Sequence, residues 1–548
     1  MSKREKILAV AVPPWPERRR RIEAEPLPAN VPALLRETAA AKPDHVALDF
    51  FEAGDTLTYR QLEARVAALA AGLAAHGATK GTHVAVMLPN VIAFPITWLA
   101  IATLGAVMVP VNGAYTPREV TYVTEDSEAS LLIIDEGFLP TLDALERRPD
   151  RLPDERVIVL GTPRAGQHAW QTVLDDGAKR SAPPPCPAGH DDLLNIQYTS
   201  GTTGFPKGCM LTHRYWLTIG KVNARRDGRV YERILAATPF FYMDPQWLML
   251  MAFYQRGTLY VARRQSASRF MQWVREHRIN FTLFPEVAFK QPPHPLDTQN
   301  EIVRVNAYGL NKANHAALEE RFDFVCREAF GMTEIGSGMF VPMEATDMVG
   351  SGTCGTVVPF RETKVVDDDG NEVPPGVEGE LLVRGPGILL GYWRKPEATA
   401  AAIDKQGWFR TGDVFRKDAR GFHFIVGRKK DMIRRAGENI AAGEVEAVLR
   451  TMPQVAEAAA VPVPDDQRKE EVKVYLVLQP GVTRDQAPPE AVLAHCERNL
   501  AKFKVPRYVA YIGALPKTAS GKIAKHVLVK DVPDLRKDSF DRVDGVWR

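Results

Sequence analysis

Residues 198–208 have the clearest potential for chemistry in this chain of 548 residues, and they read Tyr-Thr-Ser-Gly-Thr-Thr-Gly-Phe-Pro-Lys-Gly. Three glycines can expose backbone N–H groups to an anion, namely Gly201, Gly204 and Gly208. Four hydroxyl side chains add further donors, those of Thr199, Ser200, Thr202 and Thr203. Lys207 adds a positive point charge. So many donors in one short loop predict a binding site for a polyphosphate anion.

The spacing of this loop differs from that of the most common phosphate loop. In that motif two glycines flank four residues and are followed by Lys and then Ser or Thr, whereas Gly208 follows Lys207 here. A kinase or a GTPase is therefore a poor interpretation. A surface linker rich in Ser, Thr and Gly is the other alternative, but linkers rarely follow an apolar run such as residues 193–198.

Five motifs, counting this loop, resemble those of the adenylate-forming superfamily, which includes acyl-CoA synthetases, stand-alone adenylation domains and luciferases. The other four are Phe-Gly-Met-Thr-Glu at 330–334, Thr-Gly-Asp at 411–413, Gly-Arg-Lys-Lys-Asp-Met-Ile at 427–433 with Gly-Glu-Asn-Ile at 437–440, and Leu-Pro-Lys-Thr-Ala-Ser-Gly-Lys at 515–522. They occur in the family's order. The resemblance covers nearly the whole chain after about residue 30.

The resemblance implies that the first two motifs bind ATP and Mg²⁺. In the loop, the implied phosphate contacts come from Thr199, Ser200, Gly201, Thr202, Thr203, Gly204 and Lys207. In the second motif, Phe330 stacks on adenine and Thr333 holds the α-phosphate. Glu334 binds Mg²⁺ together with Thr203. The nucleotide contacts also include Gly331 and Met332. These residue types suit their roles, because an aromatic face suits a purine and a carboxylate suits a hard cation.

The third motif is implied to bind the ribose. Asp413 would accept hydrogen bonds from both sugar hydroxyls, as the acidic residue of a dinucleotide-binding fold does. Arg428, at the start of the fourth motif, also reaches the ribose. Taken alone, Thr411–Asp413 would be read as a turn between two strands, so its assignment depends on the other motifs.

The last two motifs are implied to serve a mobile C-terminal domain. Lys430 is at the position of the family's hinge, and Gly437 and Glu438 match the segment that lines the thiol tunnel after the domain rotates. Lys522 matches the catalytic lysine, which acts with Thr333 and Glu334. An exposed lysine in a Gly-Ser turn usually has no function, but here eight residues match in the expected place.

The resemblance implies an ATP-dependent carboxylic acid–CoA ligase, with ATP, Mg²⁺ and coenzyme A as the cofactors and a small or medium carboxylic acid as the substrate. The acid would first form an acyl-adenylate with release of pyrophosphate, and the thiol of coenzyme A would then displace AMP. The alternative within the superfamily is a stand-alone adenylation enzyme that loads an amino or aryl acid onto a carrier-protein thiol. A non-catalytic nucleotide-binding or peripheral membrane protein is a third interpretation, but the intact Lys207, Asp413 and Lys522 argue against it.

The acid pocket departs from the family pattern in two places. Residues 239–242 read Pro-Phe-Phe-Tyr where relatives usually have Pro-Leu-Phe-His, and Tyr308 stands where relatives have small residues. Asp244 favours either a cationic or hydroxylated acid or a role as the N-cap of a helix, and the N-cap is the preferred interpretation. Tyr308 predicts a shortened pocket and hence a small or medium acid. The predicted pocket residues are Tyr242, Met243, Asp244, Trp247, Tyr308 and Gly309.

The elements that position these motifs are predicted to be of the α/β class. Helical patterns alternate with short apolar strands over residues 31–135, which favours doubly wound parallel sheets. Short alternating strands from 355 onward predict a small β-rich subdomain, and an α+β pattern follows residue 427. The predicted domains are residues 1–429, with a tail of unknown role over 1–30, and a mobile C-terminal domain over 430–548.

Composition limits the partners and the location. The net charge of +3 argues against nucleic acid, and the Arg18–Arg21 run is read as a solvated tail. Five scattered cysteines argue against a disulfide framework and favour the cytoplasm. The apolar stretch Val91–Val111 contains two prolines and is read as a buried helix and strand rather than an integral membrane span. A homodimer is left open.

Overall fold

The strands of the described chain form four sheets. The computed structural model describes residues 1–145, 147–181, 186–199, 206–435, 438–500, 502–518 and 521–548, without the side chains at positions 430, 434, 438 and 439. Two large sheets belong to the first 360 residues, and two smaller sheets follow.

The first sheet has nine strands in the described residues, of which the six central ones run parallel. Antiparallel strands close both of its edges. From edge to edge the strands are Thr356–Val357, Gly336–Phe340, Val325–Met332, Arg304–Ala307, Phe281–Leu283, Arg233–Ala236, Thr258–Val261, Val46–Phe50 and Asp55–Thr58. This sheet carries the second motif at its first edge.

The second sheet is parallel except for its last strand. Its strands are, in spatial order, His168–Ala169, Val157–Leu160, Leu131–Asp135, His83–Met87, Val107–Pro110, Leu193–Thr199 and Lys207–Thr212. Its central strands are continuous buried apolar runs, as expected where helices cover both faces of a parallel sheet. The phosphate loop joins the last two strands.

A single hydrophobic core contains side chains from both large sheets and from the helices between them. Helix Ala93–Thr103 is buried along its whole length and leads into strand Val107–Pro110, which confirms the prediction for this stretch. Among the described residues, no helix combines the length and the apolar character needed to cross a bilayer. The helices are Lys3–Ala9, Trp15–Ala24, Val31–Ala41, Tyr59–Ala75, Ala93–Thr103, Pro117–Asp126, Leu139–Asp143, Trp170–Ala178, His213–Arg225, Met243–Gln255, Phe270–Glu276, Glu286–Phe289, His315–Phe322, Pro396–Ala402, Ala442–Leu449, Pro489–Asn499 and Lys525–Val529.

The third and fourth sheets contain the later motifs. The third is antiparallel and consists of Glu362–Val366, Glu378–Arg384, Phe409–Lys417 and His423–Arg428. The fourth consists of Glu438–Ala441, Met432–Arg435, Lys469–Leu478, Tyr508–Tyr511, Phe540–Asp541 and Val546–Trp547, with Val455–Asp465 paired to Lys469–Leu478. The chain passes from one to the other through the short 3₁₀ helix Lys429–Asp431. The predicted fold class, with its β-rich subdomain and its α+β C-terminal part, is confirmed.

The N-terminal residues correct one prediction. Lys3–Ala9 and Trp15–Ala24 are helices, and Arg18 is buried with 4% of its surface exposed, so Arg18 does not belong to a solvated tail. Its guanidinium donates hydrogen bonds to the carbonyl oxygens of Arg226 and Pro13 and to the carboxylate of Glu344. A buried guanidinium is tolerated here because these acceptors replace the water it loses.

Candidate active site

The phosphate loop begins and ends in a regular β-ladder. Strands Leu193–Thr199 and Lys207–Thr212 are antiparallel, with Thr199 opposite Lys207. Gly208 is required by close packing, because a Cβ there would lie 2.5 Å from the Ile196 side chain. Five of the predicted phosphate-binding residues lie outside the described part of the chain: Ser200, Gly201, Thr202, Thr203 and Gly204.

Lys207 and Glu334 face the same aromatic residue, Tyr392. The Lys207 ammonium lies 4.0 Å from the centre of the Tyr392 ring, a cation–π contact. The Tyr392 hydroxyl donates a 3.1 Å hydrogen bond to Oε1 of Glu334. The predicted phosphate-binding lysine and the predicted metal-binding carboxylate are thus brought together, with Tyr392 between them. Sequence reasoning missed Tyr392, because nothing local relates it to a carboxylate 58 residues away.

A hairpin carries the second motif. Strands Val325–Met332 and Gly336–Phe340 are antiparallel, and a bulge between Phe330 and Gly331 turns the two residues out of regular register. Phe330 packs edge-to-face on Phe415 at 5.0 Å, and Thr333 and Met332 are half-buried near the turn. Glu334 is 8% exposed. The hairpin therefore holds a carboxylate in a site from which most water is excluded.

Asp413 presents two buried acceptor oxygens. It is 1% exposed, and burial raises the pKa of its carboxyl to about 6 despite the opposing effect of Arg428. The Arg428 Nε lies 2.6 Å from Oδ1. This ion pair is not aligned as a hydrogen bond. Neither carboxylate oxygen of Asp413 accepts a hydrogen bond from any described group. Two unsatisfied buried acceptors fit the pair of hydroxyls of a ribose.

Lys522 lies at a tight turn whose ends, Lys517 and Ile523, form an antiparallel bridge. Gly521 allows the turn, since its φ is +78°. The positive charge of Lys522 lowers the pKa of Asp413, so the turn approaches the third motif across the two domains. Gly437 lies outside the described residues, and the same holds for the side chains of Lys430 and Glu438.

The structural role of Asp244 differs from the predicted role as the N-cap of a helix. Tyr242 is the N-cap of helix Met243–Gln255, whereas Asp244 lies in its first turn and caps no backbone N–H, so the N-cap prediction was wrong. The carboxylate instead accepts a 3.1 Å hydrogen bond from the indole of Trp247. Burial raises the pKa of Asp244, and no cation of the described chain forms an ion pair with it. A half-buried acidic group therefore has no ion-pair partner among the described residues.

Tyr308 lies close to Asp244. Burial raises the pKa of Tyr308 to about 12, and the charge of Asp244 contributes in the same direction. Tyr308 nevertheless keeps 47% of its surface exposed, so it lies at the protein surface and not in the core. The next residue, Gly309, has a φ of +65° that turns the chain at the end of strand Arg304–Ala307.

The other predicted pocket residues surround the start of the same helix. Tyr242 and Met243 are half-buried, and the Tyr215 hydroxyl lies 3.9 Å from the Met243 sulfur. Trp247 is 2% exposed, and its indole donates a hydrogen bond to Asp244. The residues of the predicted acid cavity thus include aromatic side chains and one carboxylate.

The described arrangement suits charge stabilisation better than covalent catalysis. Lys207, Arg428 and Lys522 supply positive charge, and Glu334 and Asp413 supply buried acceptor oxygens. Such a site can position a nucleotide and compensate charge that develops on its phosphates.

Two family models match the chain. Residues 35–393 match the AMP-binding enzyme family, and residues 444–522 match the AMP-binding enzyme C-terminal domain. A long-chain-fatty-acid–CoA ligase of Escherichia coli O6:H1 is 32% identical over 535 residues, covering 90% of this chain and 92% of the relative. A crotonobetaine/carnitine–CoA ligase of Escherichia coli O45:K1 is 31% identical over 465 residues, covering 82% and 88%.

The solved structures agree with these matches. The ATP-bound MatB of Rhodopseudomonas palustris superimposes with a TM-score of 0.80 at 27% identity, covering 92% of this chain and 99% of that one. The similarity extends over both the large and the small parts of the molecule. Since the first family model alone spans residues 35–393, more than half of the chain, the protein belongs to the AMP-binding enzyme family.

Proposed function

We propose that the protein is an ATP-dependent, AMP-forming acid–CoA ligase. In the first half-reaction, a carboxylate oxygen of the acid attacks the α-phosphorus of ATP, and the bond to pyrophosphate breaks. In the second, the sulfur of coenzyme A attacks the acyl carbonyl, and AMP leaves. The CoA-ligase names of the relatives favour coenzyme A over a carrier protein as the thiol.

The residues of this chain would bind and orient the nucleotide. Phe330 offers a face for adenine, the Asp413 oxygens accept from the ribose hydroxyls, and Lys207 offsets the charge of the phosphates. Mg²⁺, when bound, would offset charge on the departing pyrophosphate, and the nearly buried Glu334 carboxylate has the right donor chemistry to hold it. Such chemistry depends on positioning and electrostatics rather than on a protein nucleophile.

Lys522 would neutralise the attacking carboxylate and the α-phosphate in the first half-reaction. In the second, the C-terminal domain would rotate about Lys430 and withdraw Lys522 to admit the thiol. The residue before this hinge is anchored, since Lys429 Nζ lies 3.0 Å from Asp368 and 3.2 Å from Glu380. The pivot would therefore begin immediately after Lys429.

We propose further that the acid is small or medium in size and bears a positive charge or hydroxyl groups away from its carboxylate. The observation behind this is the uncompensated Asp244 carboxylate beside Tyr308. A cationic group would give this carboxylate the countercharge that it lacks, and the Tyr308 ring would limit chain length. The relatives include both long-chain and carnitine-type ligases, so chain length is inferred from this chain's own residues.

A matched pair of acids tests this class. 4-(Trimethylammonio)butanoate and 5,5-dimethylhexanoate have the same shape and differ in that the first carries a nitrogen cation where the second has carbon. We expect pyrophosphate release to favour the cationic acid by about 10- to 100-fold in kcat/KM, as expected for a partly desolvated charge pair. Asp244→Asn should reduce this ratio to near one.

Controls distinguish the class of acid from the class of enzyme. Equal rates with both acids, or a preference that survives Asp244→Asn, would refute the role of Asp244. AMP release that depends on an added carrier protein and not on coenzyme A would instead favour the carrier-protein alternative. Palmitate preferred over short acids would refute the shortened pocket.

A further inference from the structure

The N-terminal segment, defined as residues 1–25, holds the loop that follows helix His213–Arg225. Arg18 Nε donates a 2.9 Å hydrogen bond to the carbonyl of Arg226, and Arg229 donates one of 2.6 Å to the carbonyl of Ile7. Gly228, with a φ of +64°, packs so closely that a Cβ would lie 3.2 Å from the Arg18 side chain. Residues 226–229 are thus fixed from outside by a segment that precedes the family match.

The same loop reaches inward. The buried guanidinium of Arg226 donates a 2.6 Å hydrogen bond to Oδ1 of Asn306, which also accepts one of 3.2 Å from Arg304. Arg226 and Asn306 are both essentially without exposed surface. Asn306 belongs to strand Arg304–Ala307, which ends immediately before Tyr308 of the predicted acid cavity. Hydrogen bonds therefore join Arg18 through Arg226 to Asn306, two residues before Tyr308.

A second contact runs in parallel. The indole of Trp15 meets the ring of Phe340 edge-to-face at 4.7 Å, and the Arg226 guanidinium lies 4.7 Å from the centre of that ring. Phe340 is fully buried, and its ring lies between Trp15 of the N-terminal segment and the guanidinium of Arg226. Movement of Trp15 would change the packing of Phe340 and thereby the position of Arg226.

We propose that the N-terminal segment is a specificity-positioning element, in which Arg18 and Trp15 hold Arg226 and Asn306 so that Tyr308 forms a fixed wall of the acid cavity. The proposal rests on the assignment of this cavity to the acid. Arg18 and Trp15 touch no substrate and act through the residues they hold. Their effect should be larger on acid binding than on ATP binding, because Arg226 and Asn306 lead to Tyr308, whereas Asp413 lies in the third sheet and accepts no hydrogen bond from the N-terminal segment.

Two measurements on the full-length Arg18→Ala variant test the proposal. We expect its KM for 4-(trimethylammonio)butanoate to rise about tenfold, the effect of losing one buried hydrogen bond of typical strength, while the KM for MgATP stays within about twofold. Independently of any acid, amide hydrogen exchange should become at least about fivefold faster in residues 304–310 and stay unchanged in residues 409–417, which belong to another sheet. Arg18→Lys, which retains a donor, should restore part of both effects.

Arg4→Ala is the matched control. Arg4 belongs to the same segment and pairs with Glu319 at 3.4 Å, but it does not contact residues 226–229. It should leave exchange in residues 304–310 as in the wild type. Unchanged exchange in Arg18→Ala, or an equal rise in both KM values, would overturn the proposal. If neither acid is turned over, the proposed acid class fails, and the exchange measurement still decides the role of the segment.

Discussion

Asp413 shows how burial sets the chemistry of a single residue. Its folded-state pKa of about 6 is higher than the ordinary value of 3.8, because desolvation outweighs the charge of Arg428. A raised carboxyl pKa means that the folded protein binds the proton more tightly than the unfolded chain does. The contribution of Asp413 to stability is therefore lost as pH rises through about 6, and the carboxylate that results is available for a ribose.

This gives a prediction for ligand binding. Adenosine is a suitable ligand because it has no phosphate group whose titration could affect binding. Its affinity should fall as pH is lowered below about 6, because protonated Asp413 loses acceptor capacity. Asp413→Asn should weaken binding above about pH 6 and remove the pH dependence, and it should raise the thermal midpoint of the nucleotide-free protein at pH 8. Calorimetric titration and thermal unfolding measure these effects. A pH dependence that persists in the variant would contradict the assignment.

At the residue scale, sequence could predict the residues that define the motifs but not the contacts between them. Asp413 was recognised within its motif, yet the lack of hydrogen-bond donors to its oxygens depends on how the third sheet buries them. Asp244 was assigned to an N-cap because Asp before Pro commonly starts a helix, whereas the N-cap is Tyr242, two residues earlier. The Asp244 carboxylate instead accepts a hydrogen bond from Trp247, one turn along the same helix.

Among the elements, the hairpin of residues 325–340 leaves no space for a side chain at Gly331. A Cβ at Gly331 would lie 2.5 Å from the backbone carbonyl oxygen of Gly336, and a backbone atom cannot move aside as a side chain can. We expect Gly331→Ala to lower the free energy of unfolding by about 1–3 kcal/mol and to raise the KM for MgATP about tenfold, because Phe330 and Glu334 shift together. Chemical denaturation and steady-state kinetics measure the two effects.

Gly443→Ala is the control for this substitution. Gly443 lies in helix Ala442–Leu449 with no atom within 4 Å of its added Cβ. It should leave the KM unchanged and add up to about 1 kcal/mol of stability through helix propensity. A Gly331→Ala variant as stable and as active as the wild type would show that the bulge can relax.

The parallel strands of the two large sheets were predictable, because apolar runs such as Leu131–Asp135 alternate with helical patterns. The N-terminal helices could not be predicted in this way. Helix Trp15–Ala24 buries only Arg18 and Ile22, so its sequence has no apolar stripe and reads as a charged surface run. Its place in the fold depends on hydrogen bonds to residues more than 200 positions away.

For the whole molecule, substitution of Lys522 tests whether this lysine of the C-terminal domain serves the first half-reaction only. We expect Lys522→Ala to slow adenylate formation by at least about 100-fold, since it removes a charge that compensates the reacting phosphate. Thioester formation from supplied acyl-adenylate should stay within a few-fold of the wild type, because the thiol attacks a neutral carbonyl. Separate assays of pyrophosphate release and of acyl-CoA formation distinguish the two.

Lys517→Ala provides the matched control for Lys522. Lys517 lies in the same turn and pairs with Glu457 at 2.6 Å within the C-terminal part of the chain. Both half-reactions should proceed normally in this variant. Equal loss of both half-reactions in Lys522→Ala would instead indicate general damage to the C-terminal domain.

The anchoring of Lys429 by Asp368 and Glu380 has a consequence for how such an enzyme can diversify. In the proposed cycle, the axis of rotation is fixed by the third sheet, which shares no residue with the cavity around Asp244 and Tyr308. The path of the moving domain is then the same for every acid. Changes to the cavity can alter which acid is accepted without changing the rotation of the C-terminal domain. Acid recognition and domain rotation can therefore evolve independently.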